Sequence, residues 1–189
     1  VRNAALADTS VIGQRVQTNV IVSQQDTALT DIWYDPLAQT VMCDQSKGMF
    51  ITKVDVFFQA KDDTLPVWCE VRPVKNGYPG REIFPFSKIT LEPSSVNIHA
   101  SAETATTFTF DSPIYIQNKQ EFCIVLASNS PNYKVWIARM GETEVGGSRT
   151  ISEQPHIGVL FKGHNNRTWA PSLTEDMKLI IYVAKFCLP

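Results

Sequence analysis

Apolar and polar residues alternate along several stretches of the chain, most clearly in MFITKVDVFFQAKDD, which begins at Met49. A period of two is typical of strands with one buried face, because successive side chains of a strand point to opposite sides. The apolar face of this run holds Phe50, Val54, Val56 and Phe58, and the opposite face holds Lys53, Asp55 and Gln59. The run therefore predicts a half-buried strand.

The same alternation recurs further along the chain. LPVWCEVRP predicts a strand whose inward residues are Val67, Cys69 and Val71 and whose outward residues are Trp68, Glu70 and Arg72. EFCIVLAS is apolar on both faces, which predicts a central strand. YKVWIARMG also alternates, as does MKLIIYVAKF, in which one face holds Leu179, Ile181 and Val183.

These runs, with SKITLEP, ATTFTFDSP and IGVLFKG, predict about nine or ten strands at the spacing of an all-β sandwich or barrel. We expect an all-β fold, a β-sandwich of jelly-roll type. Residues 1–33 carry little patterning apart from TNVIVSQQ, which predicts a strand. We therefore expect an extended N-terminal arm or linker over residues 1–33 and the sandwich over residues 34–189. Because the chain begins at Val1, we expect a processed form or an excerpt of a longer protein.

The stretch VRPVKNGYPGREIFPFSKITL predicts a long connection between two strands. Asn76-Gly77 is a turn signal, but three residues after it disfavour a regular ladder: Pro79, Gly80 and Pro85. We therefore expect a local turn inside a long connection rather than a two-residue hairpin. Phe84 and Phe86 are expected to close one end of the core, and Tyr78 is the ring expected to contact a neighbouring protein.

Charge and hydropathy exclude two classes of partner. The net charge of -2 and the pI near 5.9 provide no basic surface for nucleic acid. The longest apolar run, LIIYVA, is too short to span a bilayer. We therefore expect neither a nucleic-acid partner nor a membrane.

Candidate chemistry is sparse. The four cysteines, Cys43, Cys69, Cys123 and Cys187, form no CxxC pair, and we expect reduced structural thiols. The three histidines have no metal-binding spacing, and the chain has no GxSxG elbow. The acidic pairs Asp62-Asp63 and Glu175-Asp176 lack the spacing of a calcium loop and are interpreted as solvated turn residues. We expect no catalytic residue, no metal ion and no cofactor.

Aromatic residues on the predicted surface are the remaining candidates for binding. Trp68 and Trp136 lie on the less apolar faces of their strands. The candidate interaction residues are Trp33, Tyr34, Trp68, Tyr78 and Trp136. Tyrosine and tryptophan combine apolar area with a polar group. Three roles stay open for such side chains: packing under a second sheet face, contact with another subunit, and stacking against sugar rings.

Several segments, in order along the chain, carry a resemblance to a known group of proteins. They are YDPLAQTV, GMFITKVDVFFQAKDD, PVWCEVRPVKNGYPG, PFSKITLEPSSVNI, ATTFTFDSPIYI, YKVWIARMGET and SEQPHIGVLFKGHNNRTWAPSLTEDMKLIIYVAKF. From Tyr34 to Phe186 the chain resembles a β-sandwich region of large virion structural proteins of contractile-tailed bacteriophages, notably those that infect cyanobacteria. These are tail, baseplate or fibre-associated proteins.

The resemblance implies a non-enzymatic building block of the virion that is assembled in the host cytoplasm. Its partners would be other virion proteins and copies of itself, in a symmetric assembly. An arm that leads into a sandwich can pair with the sheet edge of a neighbouring subunit, and this is the hypothesis for residues 1–33. The alternative function is a carbohydrate-binding module that recognises host surface glycans, and a glycan-degrading enzyme is a third, weaker interpretation.

Overall fold

The computed structural model describes residues 35–145, 147–152, 158–164 and 168–186. Among these residues, every regular element is a strand except one 3-10 turn, Pro93–Ser95. The predicted all-β fold class is therefore confirmed. The predicted arm, residues 1–33, and the strand predicted within it lie outside the described residues, so both stay predictions.

The strands follow one another along the described part of the chain. They are β1 (Leu37–Met42), β2 (Met49–Val56), β3 (Phe58–Ala60), β4 (Val67–Lys75), β5 (Tyr78–Pro79), β6 (Lys88–Leu91), β7 (Thr106–Ile116), β8 (Glu121–Ser128), β9 (Lys134–Val135), β10 (Ile137–Arg139), β11 (Leu160–His164), β12 (Thr168–Ser172), β13 (Glu175–Met177) and β14 (Leu179–Val183). The large sheet has the order β12-β11-β1-β8-β4-β5, with β6 also paired to β4. A smaller sheet has the order β14-β2-β7, and β10-β13 and β3-β9 form two further pairs. The strand pairs of the two larger sheets are antiparallel.

The main hydrophobic core is shared by the large sheet and the smaller sheet, which therefore pack against each other. The inward side chains of β4 and β8 are Val67, Cys69, Val71, Phe122, Ile124 and Leu126, and those of β2 and β7 are Ile51, Val54, Val56, Phe108, Phe110, Ile114 and Ile116. The inward face predicted for β4 is confirmed. So is the central position predicted for β8, which pairs with β1 on one side and with β4 on the other.

Two register shifts change the predicted alternation in the smaller sheet. The pairing of β2 with β7 shifts between Ile51 and Lys53. As a result Ile51 is fully buried, whereas Phe50, predicted to face inward, is only half-buried. The pairing of β14 with β2 shifts between Tyr182 and Val183, and Val183, predicted to share a face with Leu179 and Ile181, is exposed whereas those two pack against the core. A slip of one residue moves the following side chains to the other face of a strand.

The outer face of the large sheet is buried as well. A second cluster on this face consists of Ala38, Cys123, Val125 and Phe161, with Trp169 packed against it. Glu70 and Arg72 on β4, predicted to face outward, are 2% and 4% exposed. The alternation of β4 is intact, but the prediction that these two charges face solvent is wrong because this face is covered.

Asn76 and Gly77 form a two-residue turn between β4 and β5, so the prediction against a tight hairpin is wrong. Their φ angles are 52° and 79°, and two-residue turns that match the twist of a hairpin need positive φ at both positions. Pro79 pairs with Val74, and Tyr78 pairs with Lys75. Proline is accommodated here because β5 ends the sheet among the described strands, so none of them needs its missing N–H group.

The rest of this connection, residues 80–87, follows β4 toward β6. Phe84 packs against the main core, as predicted, and its backbone N–H donates to Val71 O at 3.0 Å. Phe86 is 71% exposed, so its predicted role in closing the core is wrong. Phe86 has a φ of 60°, and the next residue, Ser87, is buried in its place. Ser87 Oγ lies 2.7 Å from Phe84 O and 3.0 Å from Val71 O.

Candidate interaction surface

The five residues predicted to form contacts do not converge on one site. Trp33 and Tyr34 lie outside the described residues. Trp68 is the second residue of β4, whereas Tyr78 is opposite Lys75, the last residue of β4. A strand rises about 3.3 Å per residue, so Trp68 and Lys75 are about 23 Å apart along β4. Trp136 lies elsewhere, between β9 and β10.

Trp136 interrupts the strand that YKVWIARMG predicts, and it is half-buried. Its backbone N–H donates to Phe57 O at 2.9 Å, and its carbonyl oxygen accepts from Lys178 N at 3.0 Å. Its indole Nε1 donates to His99 O at 2.9 Å. An indole has one N–H donor, so the polar group of Trp136 is used inside the fold. A contact of its ring with a partner stays a prediction.

Trp68 is half-buried on the outer face of β4 and borders a group of charged side chains. The Nζ of Lys88 lies 4.9 Å from the centroid of its ring, within the range of a favourable cation–π contact. The same ammonium lies 3.4 Å from Glu70 Oε1. Trp68 and Lys88 therefore form the solvent-facing border of a buried charge cluster.

Glu70 and Arg72 form the centre of that cluster. Glu70 Oε2 accepts from Arg72 Nε at 2.7 Å and from Arg72 Nη2 at 2.5 Å. Arg72 Nη1 also reaches Gly80 O at 3.5 Å, on the segment that follows the hairpin. A charge removed from water costs several kcal/mol unless it is paired and hydrogen-bonded. The pair is therefore structural, and it fastens this segment to β4.

Among the described interaction residues that the sequence predicted, Tyr78 has the largest exposed fraction, at 50%. Its ring centroid lies 5.6 Å from that of Phe161, a buried member of the outer cluster. One side of Tyr78 therefore packs on the domain, and the other side is open to a partner or a ligand. A contact there stays a prediction.

Glu175 and Asp176, interpreted from the sequence as solvated turn residues, are buried on β13, so that interpretation is wrong. Glu175 Oε1 accepts from Arg139 at 2.6 Å, and its Oε2 lies 2.5 Å from Lys162 Nζ. The hydrogen bond from Lys162, and then that from Arg139, lowers the pKa of Glu175 to about 2, although burial opposes the shift. Asp176 Oδ1 accepts from Gln39 Nε2 at 3.0 Å. Through these contacts β13 is tied to β10, β11 and β1.

Replacing Glu175 with glutamine is expected to lower the free energy of unfolding by about 1–2 kcal/mol at pH 7, since Arg139 and Lys162 lose a charged partner. The folded-state pKa of Glu175, about 2, is below its ordinary value of 4.5. The stabilisation from ionised Glu175 is therefore complete above pH 4.5 and disappears as the pH falls toward 2. Urea unfolding of both proteins between pH 7 and pH 2.5 should show their difference shrinking toward acid.

The matched control is Glu142→Gln. Glu142 Oε1 accepts from Arg139 Nη1 at 2.8 Å, but its side chain is 58% exposed. An exposed ion pair contributes little, so a loss below about 0.5 kcal/mol is expected. Equal losses for the two variants, or a difference from wild type that does not depend on pH, would contradict the buried network around Glu175.

Asp62 was also interpreted as a solvated turn residue, and this too is wrong because it is buried. Its Oδ1 accepts from the backbone N–H groups of Thr64 at 2.7 Å and Leu65 at 2.8 Å. Its Oδ2 accepts from Ser130 Oγ at 2.6 Å and from Asn132 Nδ2 at 2.8 Å. These hydrogen bonds, that of Ser130 first, hold the pKa of Asp62 well below its usual range. The carboxylate joins two loops and is not presented as a ligand.

His99 and Ser101 have the residue types of a base and a nucleophile, and Ser101 Oγ lies 3.0 Å from His99 Nδ1. The Ser101 backbone N–H also points at this nitrogen, at 3.2 Å, and His99 Nε2 lies 3.9 Å from Glu103 Oε2. Nδ1 therefore closes a local turn. In the described part of the chain, no group of three or more His, Cys, Asp or Glu side chains is placed to hold a metal ion. No helix there is long and apolar enough to cross a membrane.

The cysteines in the described ranges fit the prediction of structural thiols. Cys43, Cys69 and Cys123 are free and buried, and Cys187 lies outside the described residues. Burial raises the pKa of the Cys123 thiol to about 12 and holds that of Cys69 above its usual range. A reactive cysteine needs the thiolate at neutral pH, so neither thiol is suited to nucleophilic chemistry.

An aromatic patch that the sequence did not predict lies at one end of the smaller sheet. It consists of Phe50, Tyr115 and Phe186, with the Phe50 ring centroid 4.9 Å from that of Tyr115 and 5.1 Å from that of Phe186. Gly48 makes room for it, because a Cβ there would lie 2.7 Å from the Tyr115 ring. Phe186 is 68% exposed. The patch was missed because the register shift in β2, which turns Phe50 away from the core, has no signal in the sequence.

The described residues thus divide into two kinds. The buried carboxylates Asp62, Glu70 and Glu175 are bound by donors of the domain itself, and the surface offers exposed aromatic and aliphatic side chains. Comparisons with protein-family models, with curated proteins and with solved structures found no match for this chain. Sequence and geometry are therefore the grounds on which a function is assigned.

Proposed function

We propose that the chain is a non-enzymatic structural component of a bacteriophage virion, in the tail, baseplate or fibre, that acts through protein–protein contacts. Its fold would be a β-sandwich of jelly-roll type, for which the core shared by two antiparallel sheets is the support. The segments from Tyr34 to Phe186 that resemble phage virion proteins support the assignment to a virion. The buried free thiols fit assembly in the reducing cytoplasm of a host.

One observation carries the proposal of a contact-forming role. Apolar side chains with 40% or more of their surface exposed recur on the smaller sheet and at its end: Tyr115, Ile180, Val183 and Phe186. The Phe50 ring packs against the rings of both Tyr115 and Phe186, and exposed apolar patches are typical of sites that contact another macromolecule. The buried carboxylates Asp62, Glu70 and Glu175 are meanwhile all engaged by donors of the domain itself.

The test is to locate the chain in particles. Washed particles of a contractile-tailed phage whose genome encodes this chain would be analysed by mass spectrometry and by immunogold electron microscopy with an antibody to the chain. We expect the chain in the particles, with label on the tail or baseplate. Its presence in the lysate but absence from washed particles would refute the proposal.

The second candidate is a carbohydrate-binding module for host surface glycans, and the exposed rings of Tyr78, Tyr115 and Phe186 favour it. Aromatic rings on a protein surface offer apolar faces against which a sugar ring can pack. A glycan array probed with the full chain tests this function. Saccharide binding that Tyr115→Ala or Tyr78→Ala abolishes would establish it, whereas an array without hits would count against it.

A further inference from the structure

β14 ends the smaller sheet among the described strands, and its residue types do not discourage pairing with another chain, although its pairing with β2 shifts between Tyr182 and Val183. It pairs with β2 on one side, and none of the other described strands pairs with its opposite side. Its sequence, LIIYV, contains no proline and no charged residue. End strands in natural proteins are usually short, bulged, or marked by proline or lysine, because their unpaired backbone groups are a template for another strand.

The other end strands of the two larger sheets have such protection. β7, at the opposite end of the smaller sheet, contains Pro113. In the large sheet, β12 contains Pro171, β5 is two residues long and contains Pro79, and β6 begins with Lys88. Among the described end strands of these two sheets, β14 is therefore the one that contains neither proline nor lysine.

The outer side chains of β14 are also exposed. Ile180 is 44% exposed and Val183 is 48% exposed within one copy of the chain. Ala184 N donates to Phe50 O at 2.8 Å, which places the end of β14 beside the aromatic patch. The described part of one copy leaves this surface open, so a strand that covers it would come from residues 1–34 or from a second molecule.

Charge favours one of two candidates for the added strand, which are β14 of a second copy and the segment TNVIVSQQ. Lys178 and Lys185 flank β14. Antiparallel pairing of β14 with itself, centred on Ile181, would bring Lys178 of one copy close to Lys185 of the other, and like charges facing each other across strands are unfavourable. The segment TNVIVSQQ, residues 18–25, is uncharged, is rich in β-branched residues and is followed by Asp26, which can face a lysine.

We propose that β14 of one copy binds the TNVIVSQQ segment of a second copy as an added strand. This contact would specify the partner and the edge used in the assembly proposed above, and it rests on that proposal. Residues 26–34 separate this segment from the first described residue. A connection of this length spans up to about 30 Å when extended, which is enough to reach a neighbouring domain. Val20 and Val22 would lie on one side of the added strand, with Ile21 on the other.

The experiment uses the full chain, with its mass followed by light scattering over a concentration series and amide hydrogen exchange measured across β14. We expect self-association that protects the amides of β14. The double variant Val20→Asp/Val22→Asp and the edge variant Ile180→Lys should each weaken self-association at least about tenfold. The matched controls Val11→Asp, in the arm outside the segment, and Ile83→Lys, at an apolar site of similar exposure, should behave like wild type.

Two outcomes would overturn the proposal. One is a full chain that stays monomeric over the series, whether or not the β14 amides are protected. The other is self-association that survives Val20→Asp/Val22→Asp, which would assign the contact to another strand. Circular dichroism and thermal unfolding establish that each variant is folded. Because particle incorporation is measured independently by mass spectrometry, failure of this contact is distinguishable from failure of the virion assignment.

Discussion

Replacing Arg72 with methionine is expected to lower the free energy of unfolding by about 3–5 kcal/mol, because it leaves the buried carboxylate of Glu70 without its main partner. Glu70 Oε2 receives two hydrogen bonds from Arg72, at 2.7 and 2.5 Å. In the variant, the nearest cation is the Lys88 ammonium, 3.4 Å from Oε1 on a half-exposed side chain. Urea unfolding at pH 7 measures the loss.

Two further variants separate burial from the simple loss of a positive charge. Lys75→Met removes a cation from the ion pair with Glu82, in which both side chains are more than half exposed, and it should cost less than about 0.5 kcal/mol. The double variant Glu70→Leu/Arg72→Met should recover much of the loss, since apolar residues often replace a buried ion pair without cost. If Arg72→Met lowered the free energy of unfolding as little as Lys75→Met, the conclusion that Glu70 and Arg72 are buried on the outer face of the large sheet would be wrong.

Replacing Phe122 with alanine is expected to cost about 3–5 kcal/mol, through lost apolar burial and the cavity that remains. Phe122 is fully buried in the main core. It lies on β8, where its Cα partners are Val41 on β1 and Pro73 on β4, so neighbours fixed on both sides limit how far the cavity can collapse. Thermal and urea unfolding measure the effect.

Phe86→Ala is the matched control, the same truncation at a ring that is 71% exposed. Exposed substitutions of this kind usually change stability by less than about 0.5 kcal/mol. Similar losses at the two positions would contradict both the central place of β8 and the exposed place of Phe86. The pair therefore also tests the correction to the sequence-based prediction, which placed Phe86 in the core.

Predictions from the sequence succeeded where a pattern is local. Val67, Cys69 and Val71 were predicted to face inward and are fully buried or nearly so, because the period of two follows from strand geometry alone. EFCIVLAS was predicted to be central from its two apolar faces, and those faces belong to two different hydrophobic clusters. The split of YKVWIARMG at Trp136 was missed because it depends on Phe57 and Lys178, which are distant in the chain.

The candidate site was harder to predict than the fold. The sequence selected aromatic residues by type and strand face, and the structure distributes the described ones over separate parts of the domain. The buried carboxylates were interpreted as solvated because acidic residues are mostly exposed. Their partners lie far along the chain, as Ser130 does for Asp62 and Lys162 for Glu175.

The sequence by itself determined the all-β fold class, the positions of long strands such as β2, β4 and β8, and the inward face of β4, because local alternation encodes them. Only the tertiary structure decided three other properties. These are the burial of Glu70 and Arg72 on the outer face of the large sheet, the register shift that leaves Phe50 half-buried, and the position of β14 at an edge of the described smaller sheet. Each depends on which strands become neighbours, and strand pairing joins residues whose separation along the chain leaves no local signal.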